Sequence, residues 1–175
     1  MKVICISGKA RHGKDTAASF MIDTLQRKGK KVLLFHYADL VKYVCKNMFG
    51  WDGNKDEKGR SILQYVGTDV VRKQRPDYWV DFLVDILKLF PNEWDYVVVP
   101  DTRFPNEVDK LKAEGFDVTY IRVVRPNFDS GLTKEQLMHE SEIALDNYKP
   151  DFEFRNCGTM ADLQKDIDIW VGNNV

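Results

Sequence analysis

A chain of 175 residues with 26 Lys plus Arg against 27 Asp plus Glu carries a formal net charge of −1 at neutral pH. That length supports one domain with a core of its own, and the balanced charge gives no broad basic field, which argues against a nucleic-acid partner. Three cysteines, Cys5, Cys45 and Cys157, form no C-x-x-C pair and are odd in number, so the expectation is a reducing, cytoplasmic setting with no disulfide framework. No apolar run approaches the ~20 residues that span a bilayer, and the N-terminus reads as a core strand rather than a signal peptide.

The first apolar run, at 3–7, leads directly into G-K-A-R-H-G-K-D-T at 8–16. Strand, glycine loop and helix in that order give G-x-x-x-x-G-K the meaning of a phosphate-binding loop. Gly8 and Gly13 allow the backbone of the loop, which also holds Arg11 and His12, to turn its N–H groups toward an anion. The helix that follows adds the partial positive charge of its N-terminus. Lys14 supplies an ammonium for the β- and γ-phosphates and is expected to face solvent until phosphate arrives. The position after the lysine is usually Ser or Thr, a magnesium ligand; here it is Asp15, with Thr16 next. Asp15 as a ligand, Asp15 as a helix cap and Thr16 as the hydroxyl ligand all remain open.

Further along, a helix is expected over 16–28 before Gly29, a strand over 32–36 and a helix over 39–48. Residues 50–77 then form a long polar segment. Within it Arg60 and Gln64 share one helix face: an arginine there can fork onto a monophosphate, and an amide can read a base edge. Asp69 and Arg72 complete a candidate acceptor pocket. A helix over 76–90 follows, in which Trp79 is expected to pack in the core in preference to stacking on a base.

The strand at 96–100 ends in Asp101, which suits either magnesium or its water shell or a helix cap. Asp101 opens D-T-R-F-P-N-E, which brings Arg103 beside the same phosphates, while Glu107 suits a capping arrangement. A helix over 104–114, closed by Gly115, leads to a strand at 118–124. The charged segment 125–150 carries Arg125, Lys134, His139, Glu140 and Glu142. A weaker strand at 152–155 and a helix over 159–171, closed by Gly172, end the chain. The alternation predicts a doubly wound α/β domain with a parallel sheet, ligands at its carboxyl edge, and two insertions there that form a pocket (50–77) and a lid (125–150).

The phosphate loop with its following Asp15-Thr16-Ala17, Y-A-D-L-V-K at 37–42, L-Q-Y-V-G-T-D-V-V-R at 63–72, P-D-x-W-V at 76–80 and D-T-R-F-P-N-E at 101–107 together resemble bacteriophage deoxynucleoside monophosphate kinases. H-E-S-E at 139–142 and N-C-G-T at 156–159 are similar to that family's lid end and last loop. The resemblance spans 1–171, and the 63–80 and 101–107 blocks carry its specificity. It implies an adenylate-kinase-like, five-stranded parallel fold that uses ATP and Mg²⁺ and transfers a phosphoryl group to a (deoxy)nucleoside 5′-monophosphate. It implies Lys14, Arg103 and Arg125 as catalytic residues and Asn156 on the nucleotide side with the loop. Asp39, Lys42, Arg60, Gln64, Asp69, Arg72, Trp79 and His139 fall on the acceptor side or the lid, and Asp15, Thr16 and Asp101 near the metal. The partners it implies are small nucleotides, with no membrane, in a monomer or homodimer, in the host cytoplasm if phage-encoded. Two competing readings keep the loop: a small-molecule kinase acting on a phosphorylated metabolite such as a coenzyme A precursor, and a non-catalytic nucleotide-binding regulator.

Overall fold

The computed structural model describes residues 1–54 and 56–175. Among these residues five strands, β1 (Lys2–Ser7), β2 (Val32–Leu34), β3 (Tyr96–Val99), β4 (Asp117–Val124) and β5 (Phe152–Arg155), form one sheet in the order β2-β3-β1-β4-β5. Every pairing is parallel, with Val3 opposite both Val97 and Val118. Parallel strands covered on both faces must be apolar throughout, and the period of two sends their side chains alternately into two cores. Val3, Cys5, Val97 and Val99 point into one core and Ile4, Ile6, Val98 and Ile121 into the other.

The helices divide between these faces. α1 (Lys14–Arg27) and the terminal α8 (Met160–Asn174) cover one with Ala17, Met21, Leu25, Leu163 and Ile167. α2 (Tyr37–Met48), α4 (Tyr78–Leu89) and α5 (Pro105–Ala113) cover the other. Burial in that second core pushes the Cys5 thiol up to about 12, as expected of a small core residue rather than a reactive one. Between α2 and α4, α3 (Glu57–Gln64) runs directly into a π-helical stretch, Tyr65–Arg72. Segment 125–150 holds two single-turn helices, α6 (Lys134–Leu137) and α7 (Glu140–Ile143). Among the described residues no helix is long and apolar enough to cross a membrane.

Element boundaries depart from the sequence pattern where a cap or a ligand loop takes over. α1 starts at Lys14 rather than 16, because Gly13, at φ 95°, turns the chain straight into the helix. β2 stops at Leu34, and extended His36 becomes the residue before α2, which starts at Tyr37 rather than 39. α8 runs through Gly172 to Asn174, so that glycine is a helical residue and not the stop. Its start is set by Thr159, whose side chain accepts from the Asp162 amide.

The order β2-β3-β1-β4-β5 makes β1 central, with connections leaving on opposite sides, so the crevice lies at the carboxyl ends of β1 and β3. Gly8, the first residue beyond β1, lies against β4: a Cβ there would fall 2.6 Å from the Val123 carbonyl oxygen. Gly8→Ala is therefore expected to force the loop off the sheet and destabilise the fold by about 1–3 kcal/mol. A thermal melt unchanged from that of the parent chain would show that the loop root tolerates a side chain.

Candidate active site

The phosphate loop leaves β1 at Ser7, whose hydroxyl is hydrogen-bonded to the Tyr120 hydroxyl at 2.7 Å. The left-handed conformations of Arg11 and Gly13 (φ 63° and 95°) fold the loop back over the start of α1. Asn156, just after β5, donates its side-chain amide to the His12 carbonyl at 3.0 Å. A Cβ on Gly13 would meet that amide nitrogen at 2.6 Å. Asn156, which the resemblance put on the nucleotide side, thus buttresses the loop from behind. His12 Nδ1 accepts from the Arg125 amide at 3.1 Å, and burial lowers the pKa of its ring.

Lys14 is only 8% exposed, which corrects the expectation of a solvent-facing ammonium. Its stem is covered by the fold, and burial followed by repulsion from Arg103 lowers the pKa of the ammonium. Among the described residues no hydrogen bond or ion pair holds it. A desolvated, unpaired cation at the N-terminus of a helix is a site for an anion.

Asp101 follows β3 as the pattern required, and its carboxylate is already in use. Its oxygens accept from the amides of Tyr37 at 3.2 Å and Ala38 at 2.8 Å, so it caps the start of α2. Burial pushes its pKa above the usual carboxylate range despite those amides. Asp15 is exposed and Thr16 half-buried at the first turn of α1. Among the described residues no group of three or more His, Cys, Asp or Glu could hold a metal on its own. The available donors are hard oxygens, a set that suits magnesium carried largely by phosphates and water.

Two cavities meet at Arg103. One, of about 240 Å³, lies between the phosphate loop (Gly8, Lys9, His12) and segment 141–146. The other, of about 260 Å³, lies between α2, the π-helical stretch and the turn after β3, and is lined by Tyr37, Lys42, Gln64, Arg72 and Phe104 among others. Arg103 and Ser141 line both. A third, polar cavity of about 550 Å³ opens between α3 and α6, with Arg60, Gln64 and His139 on its walls. Gln64 thus faces two cavities, while Arg60 and His139 face only the outer one.

The residues expected around an acceptor separate into groups. Arg72 and Trp79 line the inner cavity, but each also serves the fold. The Arg72 guanidinium pairs with the fully buried Glu107 and lies 4.1 Å from the centre of the Phe104 ring. Trp79 is 2% exposed and donates to the Gly67 carbonyl at 3.0 Å, as a core residue does. Asp69 is exposed and pairs with Lys73 at 3.3 Å, one turn along on the solvent face, and does not line the cleft. Asp39 likewise is exposed, on Lys42 at 2.7 Å. Arg125 is exposed with its guanidinium 4.0 Å from the centre of the Phe128 ring and lines none of these cavities, so its expected catalytic place is not the one it takes here. His139 caps α7 through Nδ1.

Sequence reasoning passed over Lys9, Ser141 and the buried role of Glu107. Lys9 Nζ donates to Asp146 Oδ1 and to the Glu142 carbonyl, both at 2.5 Å. Arg103 donates to Glu142 Oε1 at 2.5 Å and to the Ser141 carbonyl at 3.3 Å. The H-E-S-E motif was the available signal for Glu142, and its target was not readable.

This architecture is that of the phosphate-loop kinases. The chain aligns over 99% of its length and 98% of an APS kinase from Mycobacterium tuberculosis, solved with AMPPNP and APS, at a TM-score of 0.54 and 12% identity. Against dephospho-CoA kinase from Campylobacter jejuni the TM-score is 0.52 at 16% identity, covering 98% and 97% of the two chains. At such identities the shared property is the fold. The family is defined by sequence: a model described as deoxynucleotide monophosphate kinase matches residues 51–167, and the chain belongs to that family. The deoxynucleotide monophosphate kinase of Enterobacteria phage T4 is 37% identical over 106 residues, 59% of this chain and 41% of the phage protein, so the match spans less than half of that relative. A protein of Acanthamoeba polyphaga mimivirus, carrying a provisional form of the same name, is 29% identical across 99% of this chain and 97% of its own length.

Trp79 gives the site a direct test of core against ligand role. Trp79→Phe removes the bond to Gly67 and opens a small void, together about 1–2 kcal/mol. The melting temperature should fall by several degrees, at roughly 2–4 °C per kcal/mol for a domain of this size. An unchanged melt with altered nucleotide affinity would make Trp79 a stacking residue instead.

Proposed function

We propose that this chain transfers the γ-phosphoryl group of ATP to a deoxynucleoside 5′-monophosphate, giving the diphosphate. The observation that carries this reading is Arg103, one guanidinium shared by the cavity at the phosphate loop and the cavity at α2 and Gln64. A phosphoryl group passing between two bound substrates needs positive charge on its path, and little covalent chemistry from the protein. Membership of the family supports the acceptor class.

In this reading the loop backbone and the N-terminus of α1 bind the donor phosphates, and Lys14 exchanges its partnerless burial for a phosphate oxygen. Arg103 stabilises the charge that develops on the transferred group. On the acceptor side a guanidinium has five N–H donors, so Arg72 has donors left for the acceptor phosphate while it keeps Glu107. Gln64 reads the base, since a neutral amide distinguishes donor and acceptor patterns. Arg60, Lys42 and His139 add polar contacts at the cavity edges, residues 50–77 serve as the acceptor insertion, and 125–150 serve as the lid-like insertion over the cleft. Asp15, Thr16 and Asp101 are the oxygens toward magnesium, with Asp101 acting through water because its carboxylate already caps α2. Magnesium, when bound, neutralises phosphate charge and aligns the donor.

Coupled assay of ADP release over the four deoxynucleoside monophosphates tests the proposal, with Lys14→Met as the first variant because methionine fills the buried stem space. Phosphoryl transfer should fall at least ~10²-fold with the fold retained. Activity within a few-fold of the parent would remove Lys14 from the mechanism.

The acceptor assignment is tested by a pair of variants in the same assay. Arg72→Lys keeps the charge but loses the planar fork, and should weaken all monophosphates alike by roughly tenfold. Gln64→Ala should change the preference among bases. ATP affinity should stay within about twofold in both, since neither residue lines the cavity at the phosphate loop. Loss of ATP affinity with acceptor affinity kept would place the acceptor elsewhere.

A further inference from the structure

Segment 139–146 is fastened across the cleft by two cations of the phosphate site. Lys9 holds Asp146 and the Glu142 carbonyl, and Arg103 holds the Glu142 carboxylate and the Ser141 carbonyl. The Glu142 side chain is 11% exposed, and its second oxygen, Oε2, is buried with no hydrogen-bond partner among the described residues. Its charge reaches the buried Lys14 and His12 as well as Arg103. An anionic oxygen group therefore sits among the cations that a polyphosphate would need, and one of its two oxygens is buried without a protein donor among the described residues.

Resting on the kinase reading above, we propose that Glu142 is a placeholder for phosphate: its carboxylate closes segment 139–146 over the phosphate site and is expelled when a polyphosphate takes Arg103 and Lys9. Both sides of the exchange are chemically matched. Carboxylate and phosphate compete for the same guanidinium fork, and they cannot share a desolvated cation cluster without like-charge repulsion. The unpartnered Oε2 makes the latch releasable, because a buried acceptor without a donor costs stability that hydration returns on opening. Glu142 thus keeps the cations from other anions until the donor arrives, and the donor pays its displacement on entry.

The exchange is read by calorimetric titration of the full chain with inorganic tripolyphosphate and, separately, with ATP, both without magnesium. Glu142→Gln should bind both roughly tenfold more tightly than the parent, within the range of a typical coupling between two binding events. Glu140→Gln removes the same charge from an exposed neighbour and should stay within about twofold. Asp146→Asn, at a half-exposed anchor on Lys9, should tighten binding in the same direction and keeps the test intact if Glu142→Gln fails to fold. Amide hydrogen exchange over 139–146 should speed up when tripolyphosphate binds the parent chain. Unchanged or weaker binding by Glu142→Gln, or slower exchange in the complex, would overturn the latch and leave Glu142 as a group that only positions Arg103. Binding of neither ligand by parent or variants would overturn the kinase reading and the latch with it.

Discussion

Glu107 has no exposed surface, and each of its carboxylate oxygens is held by a different part of the cleft. Oε2 accepts from the backbone amides of Arg103 at 2.6 Å and Phe104 at 3.1 Å, and Oε1 accepts from the Arg72 guanidinium. The first pair locks the turn between β3 and α5, and so fixes where Arg103 leaves the backbone. The second ties that turn to the end of the π-helical stretch. One carboxylate thus sets the spacing between Arg103, on the wall shared by both cavities, and Arg72, on the wall of the inner one. Burial pushes its pKa up while Arg72 and the two amides pull it down. A buried ion pair of this kind contributes little net stability but is costly to break, because removing either partner strands the other. Its value here lies in geometry.

The cleft is built around cations whose needs the protein meets only in part. Among the described residues Lys14 is desolvated without a partner, and Arg103 and Lys9 are satisfied by segment 141–146 rather than by the core. Arg72, in contrast, is secured permanently by Glu107 and Phe104. The division follows the chemistry the site is proposed to perform. Groups that meet a travelling phosphoryl charge are left with incomplete electrostatics that the substrate completes, whereas a group that defines pocket shape is held regardless of occupancy. Asp101 belongs to the second kind, since its carboxylate joins the end of β3 to the start of α2.

Several features were legible in the linear pattern because they depend on near neighbours in sequence. The apolar runs that became β1, β3 and β4 declare their burial on both faces, and Gly8, Gly13 and Lys14 declare a phosphate loop by their spacing between a strand and a helix. The helical face shared by Arg60 and Gln64 was also visible, and it is real in α3. What could not be read was the partner each side chain would find on the opposite wall. Asp69 and Arg72 lie three residues apart in one motif, yet one pairs with Lys73 in solvent and the other with buried Glu107. Arg125 and Asn156, which the resemblance placed at the ligand, make protein contacts that no local pattern announces.

Local order along the chain was enough to specify a doubly wound sheet, its phosphate loop and the stretches that approach it, because strand and helix periodicity and glycine spacing are short-range properties. The role of each polar side chain in the cleft was decided only when the chain folded. Arg103 became the shared wall of two cavities because the turn after β3 lies next to the loop after β1. Glu142 came to face it from 39 residues away in sequence. Electrostatic and hydrogen-bond partners are chosen by proximity in space, and that proximity is set by sheet order and by the way segments 50–77 and 125–150 pack over the carboxyl edge.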